Sequence, residues 1–220
     1  MSALLAGATG LVGRELARAW AGPGDLVMLL RGPAPAGLPA GPRLRSKLVD
    51  YSALATLPAA LPAADEGYCC LGTTIAQAGS QAAFRAVDFD AVLAFARAAQ
   101  AAGVKRLGVV SALGAQADSS SFYSRIKGEV EAELTKMNFS SLVLARPSLL
   151  AGDRTATGQP RRRGEHLALM LTAPLGRLVP PAWRPIQASF VALALLRAVR
   201  EGRPGRRVLS SAEMQNLGTR

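Results

Sequence analysis

Ala3-Leu4-Leu5-Ala6-Gly7-Ala8-Thr9-Gly10-Leu11-Val12-Gly13 decides the fold. A short apolar run enters a turn with three glycines, and Arg14-Glu15-Leu16-Ala17-Arg18-Ala19-Trp20 continues with helical character. Strand, glycine turn and helix in that order are the context a dinucleotide fingerprint requires. One glycine permits the tight turn, a second lets backbone approach a pyrophosphate, and a third lets helix and strand pack closely. The helix then meets the phosphates with free N–H groups and the positive end of its dipole. Gly7, Thr9, Gly10, Leu11, Val12 and Gly13 are therefore expected to bind a cofactor.

Outward from this turn the chain alternates strand and helix. Leu26 to Leu30 is a continuous apolar run, as expected of a strand buried on both faces. Gly32 to Pro42, rich in Gly, Pro and Ala, reads as a loop. Strands are predicted over Leu44 to Val49, Tyr68 to Leu71, Leu107 to Val110 and Ser141 to Ala145. Gln81 to Ala102 has helical periodicity, with Phe84, Val87, Ala91, Val92 and Phe95 on one face and Gly103 as the stop. Ser119 to Ser121 offer an N-cap for a helix running to about Met137. Glu165 to Leu178 and Ala188 to Arg200 read as helices, Val208-Leu209 as a short strand, and Ala212 to Leu217 as a terminal helix. Parallel strands with helical crossovers make an α/β fold, one doubly wound parallel sheet of the Rossmann kind. The 220 residues are read as one NAD(P)-binding domain, with about 151–220 forming a small C-terminal lobe on the substrate side.

In such a sheet, ligands sit outside the carboxyl ends of the strands. The residues placed there are Gly7 to Gly13, Arg31, Asp50, Gly72-Thr73-Thr74, Ser111 and Pro147-Ser148. The end of the second strand usually carries an acid for the adenosine ribose of NAD. Here Arg31 stands instead, and a guanidinium there pairs with a 2′-phosphate, which points to NADP(H). Asp50 is read either as an acceptor for the adenine amino group or as a loop cap. Tyr123-Ser124-Arg125-Ile126-Lys127 places a phenol and an ammonium one helical turn apart. A nearby cation favours phenolate, so the pair is suited to proton transfer. Ser111 is expected to hydrogen-bond a substrate carbonyl and hold it near that phenol.

The glycine spacing, Ser111, Tyr123 and Lys127 together resemble the short-chain dehydrogenase/reductase superfamily. Cys69-Cys70-Leu71-Gly72-Thr73-Thr74, Tyr123 through Lys127-Gly128-Glu129-Val130-Glu131, and Arg146-Pro147-Ser148-Leu149-Leu150 with Asp153-Arg154 look like its Tat-interacting-protein-like branch. The resemblance covers nearly the whole chain. It implies NADPH binding, with Tyr123 as acid/base, Lys127 on the nicotinamide ribose and Ser111 polarising a carbonyl. It also implies that Leu71, Gly72, Thr73 and Thr74 line the cofactor and that Pro147, Ser148 and Leu149 meet the nicotinamide amide. Asp88 stands where many members of the superfamily have an Asn that serves a proton relay, which puts an ordinary relay in doubt. The implied activity is an NADP(H)-dependent oxidoreductase acting on a carbonyl or alcohol of an unidentified small molecule. The alternative is an NADPH-binding sensor or protein-interaction module with little turnover.

Composition narrows the remaining classes. The net charge is +11, from 26 basic and 15 acidic residues. The basic residues are scattered, with clusters at Arg161-Arg162-Arg163 and Arg203 to Arg207, and aromatics do not alternate with them. A nucleic-acid surface is therefore not expected. Gly152 to Gly164 is polar and basic, which suits a loop over a site. His166, the single histidine, is read as a surface residue, because the tyrosine already supplies a base. Cys69 and Cys70 are adjacent, read as filling a buried strand in a reducing compartment, and no metal-ligand spacing is present. No apolar run reaches bilayer-spanning length, Met1 to Ala6 lacks a basic leader, and the expected location is cytoplasmic.

Overall fold

The computed structural model describes residues 2–53, 61–151 and 180–218. Nine strands are described: β1 (Ala3–Ala6), β2 (Leu26–Leu30), β3 (Leu44–Leu48), β4 (Glu66–Cys69), β5 (Arg106–Val110), β6 (Ser141–Arg146), β7 (Leu150–Ala151), β8 (Ile186–Gln187) and β9 (Gly205–Ser210). The principal helices are α1 (Leu11–Arg18), α2 (Ile75–Ala78), α3 (Gln81–Arg85), α4 (Ala91–Ala101), α5 (Phe122–Lys136), α6 (Ala188–Glu201) and α7 (Ser211–Gly218). Seven strands form one sheet in the order β3-β2-β1-β4-β5-β6-β9, and every pairing is parallel.

Period-two alternation along the central strands builds two cores. Ala3 and Leu5 of β1, with Met28 and Tyr68, face α1 and α6, where Leu16, Val191, Leu195 and Val199 are fully buried or nearly so. Leu4 and Ala6, with Leu29 and Cys69, face the opposite helices through Val92, Phe95, Val130 and Leu134. Apolar helical crossovers on both faces bury β1 and β2 completely. The two edges are charged instead. Arg45 and Lys47 lie on β3, and Arg206 and Arg207 on β9, a pattern that discourages pairing with another strand.

The structure differs from the sequence reading in two places. β4 begins at Glu66 rather than Tyr68, because Glu66 is neutralised by Arg106 at 3.0 Å and accepts the Tyr68 hydroxyl at 2.7 Å. The helix read over Gln81 to Ala102 contains a π-helical segment, Ala86–Asp90, between α3 and α4. That segment turns Asp88 into the interior, where it is fully buried. Among the described C-terminal elements, β9 extends the main sheet beside β6, and α6 packs on α1. Among the described strands, β7 and β8 pair with each other outside that sheet. The helix read over Glu165 to Leu178, the loop from Gly152 to Gly164, Arg161 to Arg163 and His166 lie outside the described residues.

Leu195 joins α6 to the sheet and is fully buried. Leu195→Ala is expected to lower unfolding stability by about 2–5 kcal/mol, measured by urea denaturation, without changing the strand order.

Candidate active site

Two cavities lie along the carboxyl ends of the strands. One, of about 750 Å³, runs from the glycine turn past Arg31, Asp50 and Tyr51 to Val87 and Ala91. The other, of about 520 Å³, runs from Gly10 and Leu11 past Gly72, Thr73 and Asp88 to Ser111, Tyr123, Lys127 and Leu150. They share Gly10, Arg31, Cys70, Leu71, Gly72 and Val87, so they form one elongated cleft. Each has the size of a small-molecule site.

The glycine turn is held by backbone contacts that no side chain tolerates. A Cβ on Gly13 would stand 2.1 Å from the Gly7 carbonyl oxygen, and one on Gly7, whose φ is +83°, would stand 2.4 Å from the Cys70 carbonyl oxygen. Gly10 is different. A Cβ there would come no closer than 3.4 Å to the protein, so packing does not demand a glycine. Gly10 faces both cavities and caps the amino end of α1 with no side-chain hydrogen bond. Space left over a helix N-terminus fits a pyrophosphate. Arg14, which the sequence reading passed over, is buried and braces the turn by donating to the carbonyls of Thr9 at 3.2 Å and Gly37 at 3.1 Å.

At the adenosine end, Arg31 is exposed and borders both cavities. Asp50 lines the same end, but its Oδ1 accepts from the Ser52 N–H at 2.8 Å and the Ser52 hydroxyl at 2.6 Å. Those bonds hold its carboxyl below the usual range, so it is a loop cap that also borders the cleft.

At the other end, α5 carries Tyr123, Lys127 and Glu131 at successive four-residue steps, which places them on one stripe. The Tyr123 ring packs against Phe84 with centroids 5.7 Å apart. Lys127 Nζ lies 2.7 Å from Asp88 Oδ1, and both side chains are almost entirely buried. Asp88 Oδ2 accepts the Thr73 N–H at 2.8 Å. Burial pulls the Lys127 ammonium down, but the Asp88 carboxylate, with smaller contributions from Tyr123 and Cys69, outweighs it, and the net shift is upward.

Ser111 lines the cavity, but its hydroxyl donates to Glu131 Oε1 at 2.6 Å. A serine hydroxyl has one proton. Ser111 thus presents its oxygen to the cleft as an acceptor, which differs from the expected donor to a carbonyl. Glu131 is held by Arg146, Nε at 2.9 Å and Nη2 at 2.5 Å, and by Arg206 at 3.3 Å. The spacing from Lys127 was the available signal for Glu131, and its partners were not legible. Pro147, Ser148 and Leu149 do not line either cavity. The Pro147 carbonyl accepts the Leu113 N–H at 2.9 Å, Ser148 accepts from the Ser211 hydroxyl at 3.0 Å and donates to the Arg184 carbonyl, and the Leu149 carbonyl accepts the Ile186 N–H at 2.9 Å. Leu150 reaches the cleft in their place. Burial pushes both thiols up, Cys69 to about 12, so neither acts as a thiolate near neutral pH.

This geometry defines a dinucleotide-binding α/β protein. Residues 7–153 match the NAD(P)H-binding family, and the chain belongs to that family. It is 37% identical to Protein HTATIP2 of Rattus norvegicus over 157 residues, 71% of this chain and 60% of the rat protein. It is 35% identical to the mitochondrial Protein FMP52 of Saccharomyces cerevisiae over 112 residues, 51% of this chain and 46% of the yeast protein. The chain spans 60% or less of the length of both these relatives. Among solved structures it is similar to MoeE5 in complex with UDP-glucose and NAD, with a TM-score of 0.69 and 18% identity over 100% of this chain and 81% of that one. A UDP-N-acetylglucosamine 4-epimerase from Methanobrevibacter ruminantium gives 0.70 and 14% over 95% and 76%. These two likenesses establish the Rossmann fold. The yeast protein's name places it in mitochondria, which does not match the expected cytoplasmic location. No helix among the described residues is long and apolar enough to cross a membrane, and these residues contain no cluster that could hold a metal ion.

The buried pair has a measurable signature. Asp88→Ala leaves an ammonium uncompensated in the interior and is expected to lower stability by about 3–5 kcal/mol in urea denaturation. Asp88→Leu combined with Lys127→Met is expected to cost less than Asp88→Ala alone. Because the Lys127 pKa is raised by folding, the contribution is fully present from neutral pH to about pH 10 and is lost on the alkaline side as pH climbs through the folded-state value.

Proposed function

We propose that the chain is an NADP(H)-dependent oxidoreductase of the short-chain dehydrogenase/reductase type, acting on a carbonyl or alcohol of a small molecule. The observation that carries this reading is the cleft itself. One continuous space joins the glycine turn to a wall bearing Tyr123 and Lys127. The turn and the α1 amino end would hold the pyrophosphate, Arg31 the 2′-phosphate and Lys127 the nicotinamide ribose. The bound nicotinamide supplies or accepts the hydride. Tyr123 exchanges the proton on the substrate oxygen. Ser111 accepts a hydrogen bond from the substrate or cofactor with its orientation fixed by Glu131. The two adjacent free cysteines, Cys69 buried and Cys70 partly so, suit a reducing compartment, and we place the protein there.

A second reading keeps the cradle and drops the turnover: an NADPH-binding sensor that sets a surface for a protein partner. It draws on Ser111, whose proton is committed to Glu131. The two readings share cofactor binding and separate on Tyr123.

NADPH is expected to bind more tightly than NADH. A charge-assisted contact between Arg31 and the 2′-phosphate is worth about 1.5–3 kcal/mol, or roughly tenfold to 150-fold in affinity. Titrating both cofactors into the parent and Arg31→Ala checks this. The preference should collapse in the variant, and equal affinities in the parent would remove the NADP assignment. Tyr123→Phe deletes the titratable proton and keeps the ring on Phe84. In a screen of carbonyl compounds with NADPH, it should lose at least about 100-fold in turnover while its NADPH affinity stays within a few-fold of the parent. Turnover at the parental rate would reject Tyr123 as the acid, and no turnover in the parent across the screen would favour the sensor.

A further inference from the structure

We propose that Asp88 is a positioning residue that makes Lys127 a fixed cation, so that the proton path to Tyr123 bypasses the lysine. The geometry is that of a clamp with both jaws closed. Asp88 Oδ1 is 2.7 Å from Lys127 Nζ, and Oδ2 takes the Thr73 N–H at 2.8 Å. Asp88 is completely buried and Lys127 is 5% exposed. A Cβ added at Gly72 would stand 3.5 Å from Asp88 Oδ1 and 3.8 Å from Lys127 Nζ, so the backbone after β4 covers the pair directly. The carboxylate therefore ties the π-helical segment, α5 and the 71–74 strand-end segment to one point in the cleft wall.

A lysine that passes protons must release one during the cycle. The surroundings of Lys127 oppose that. The titratable groups facing it are Asp88 from the π-helical segment, Tyr123 from its own helix and the Cys69 thiol from β4. Cys69 is a neutral thiol near neutral pH, and Glu131, one turn further along α5, is directed to Ser111, Arg146 and Arg206. Asp88 is thus the anion that holds the ammonium in place. Neutralising Lys127 would strand a carboxylate in the interior, which is more costly than keeping the pair. When Tyr123 gives its proton to a substrate oxygen, the replacement then comes from water in the cleft, while Lys127 remains an ammonium aimed at the cofactor. The consequence for turnover rests on the oxidoreductase reading. The clamp itself does not.

The chain has four lysines, Lys47, Lys105, Lys127 and Lys136, so NMR of protein labelled at lysine Cε resolves each one, with Lys127→Arg giving the assignment. In the parent, Lys127 should keep its ammonium shift to a pH beyond that at which a free lysine loses its proton. In Asp88→Asn, the carboxylate no longer opposes burial, and the Lys127 midpoint should move down from its parental position. NADPH affinity, followed by cofactor fluorescence, should be flat between about pH 6 and 9 in the parent and should decline toward the alkaline side in Asp88→Asn. A purely structural role would weaken binding equally at every pH. Lys127 titrating with or before the other lysines in the parent would overturn the proposal without any variant, and so would an unmoved Lys127 in folded Asp88→Asn. Failure of the oxidoreductase reading shows separately, as a parent that turns over no carbonyl while its lysine titration is as expected.

Discussion

The Asp88 carboxylate is the point on which the site depends. Three segments from distant parts of the chain meet at it: the π-helical segment, the backbone after β4 and the middle of α5. Two charges buried together are costly to desolvate, so such a pair is weak evidence for added stability. Its value is geometric. An ammonium with one carboxylate within reach has one low-energy position, and Tyr123 stands one turn earlier on the same helix. The helix face that carries the phenol is therefore anchored by a pair of charges, while the ring itself packs on Phe84.

The π-helical segment explains how a regular helix delivers that carboxylate. Inserting one residue into a helical turn rotates everything after it relative to the expected face. Phe84, Val92 and Phe95 stay in the core, but Val87 and Ala91 turn partly to the cleft, and Asp88 points inward. No periodicity rule marks such an insertion. Ala86-Val87-Asp88-Phe89-Asp90 reads as an ordinary helical stretch, and the sequence suggests a departure only through an aspartate on a face otherwise apolar.

The fold was legible because the physics that sets it is local. Short apolar runs bounded by turn residues, Leu26 to Leu30 and Leu142 to Ala145, read as strands covered on both sides, and Gly7 to Gly13 after such a run reads as a tight turn into a helix. Where the candidate side chains lie was more legible than which bonds they make. Arg31, Ser111, Tyr123 and Lys127 all reach the cleft, because strand ends and helix stripes fix where a side chain starts. Which partner a polar group takes depends on residues far away in the chain, and sequence order does not show them. Ser111 meets Glu131, twenty residues on, and Glu131 meets Arg206, seventy-five residues on. The same limit applies to Ser148, which lies just past the end of β6 yet bonds to Ser211 and Arg184 instead of facing the cleft. It applies to Glu66 as well, whose burial looks forbidden until Arg106 and Tyr68 are seen beside it.

The stripe of Tyr123, Lys127 and Glu131 assigns its charges in opposite senses, and this has a chemical consequence. Lys127 is the cation beside the phenol, and its charge is balanced by Asp88. Glu131 is the anion behind Ser111, and its charge is more than balanced by Arg146 and Arg206. This wall of the cleft is thus flanked by two ion clusters, each rooted on α5. Hydrogen-bond polarity follows from them. The proton that Ser111 donates to Glu131 cannot also face the cleft, whereas the Tyr123 hydroxyl lies on that wall and can donate. A ligand that places an acceptor against Tyr123 and a donor against Ser111 satisfies both, whereas a bare ketone oxygen satisfies only the first.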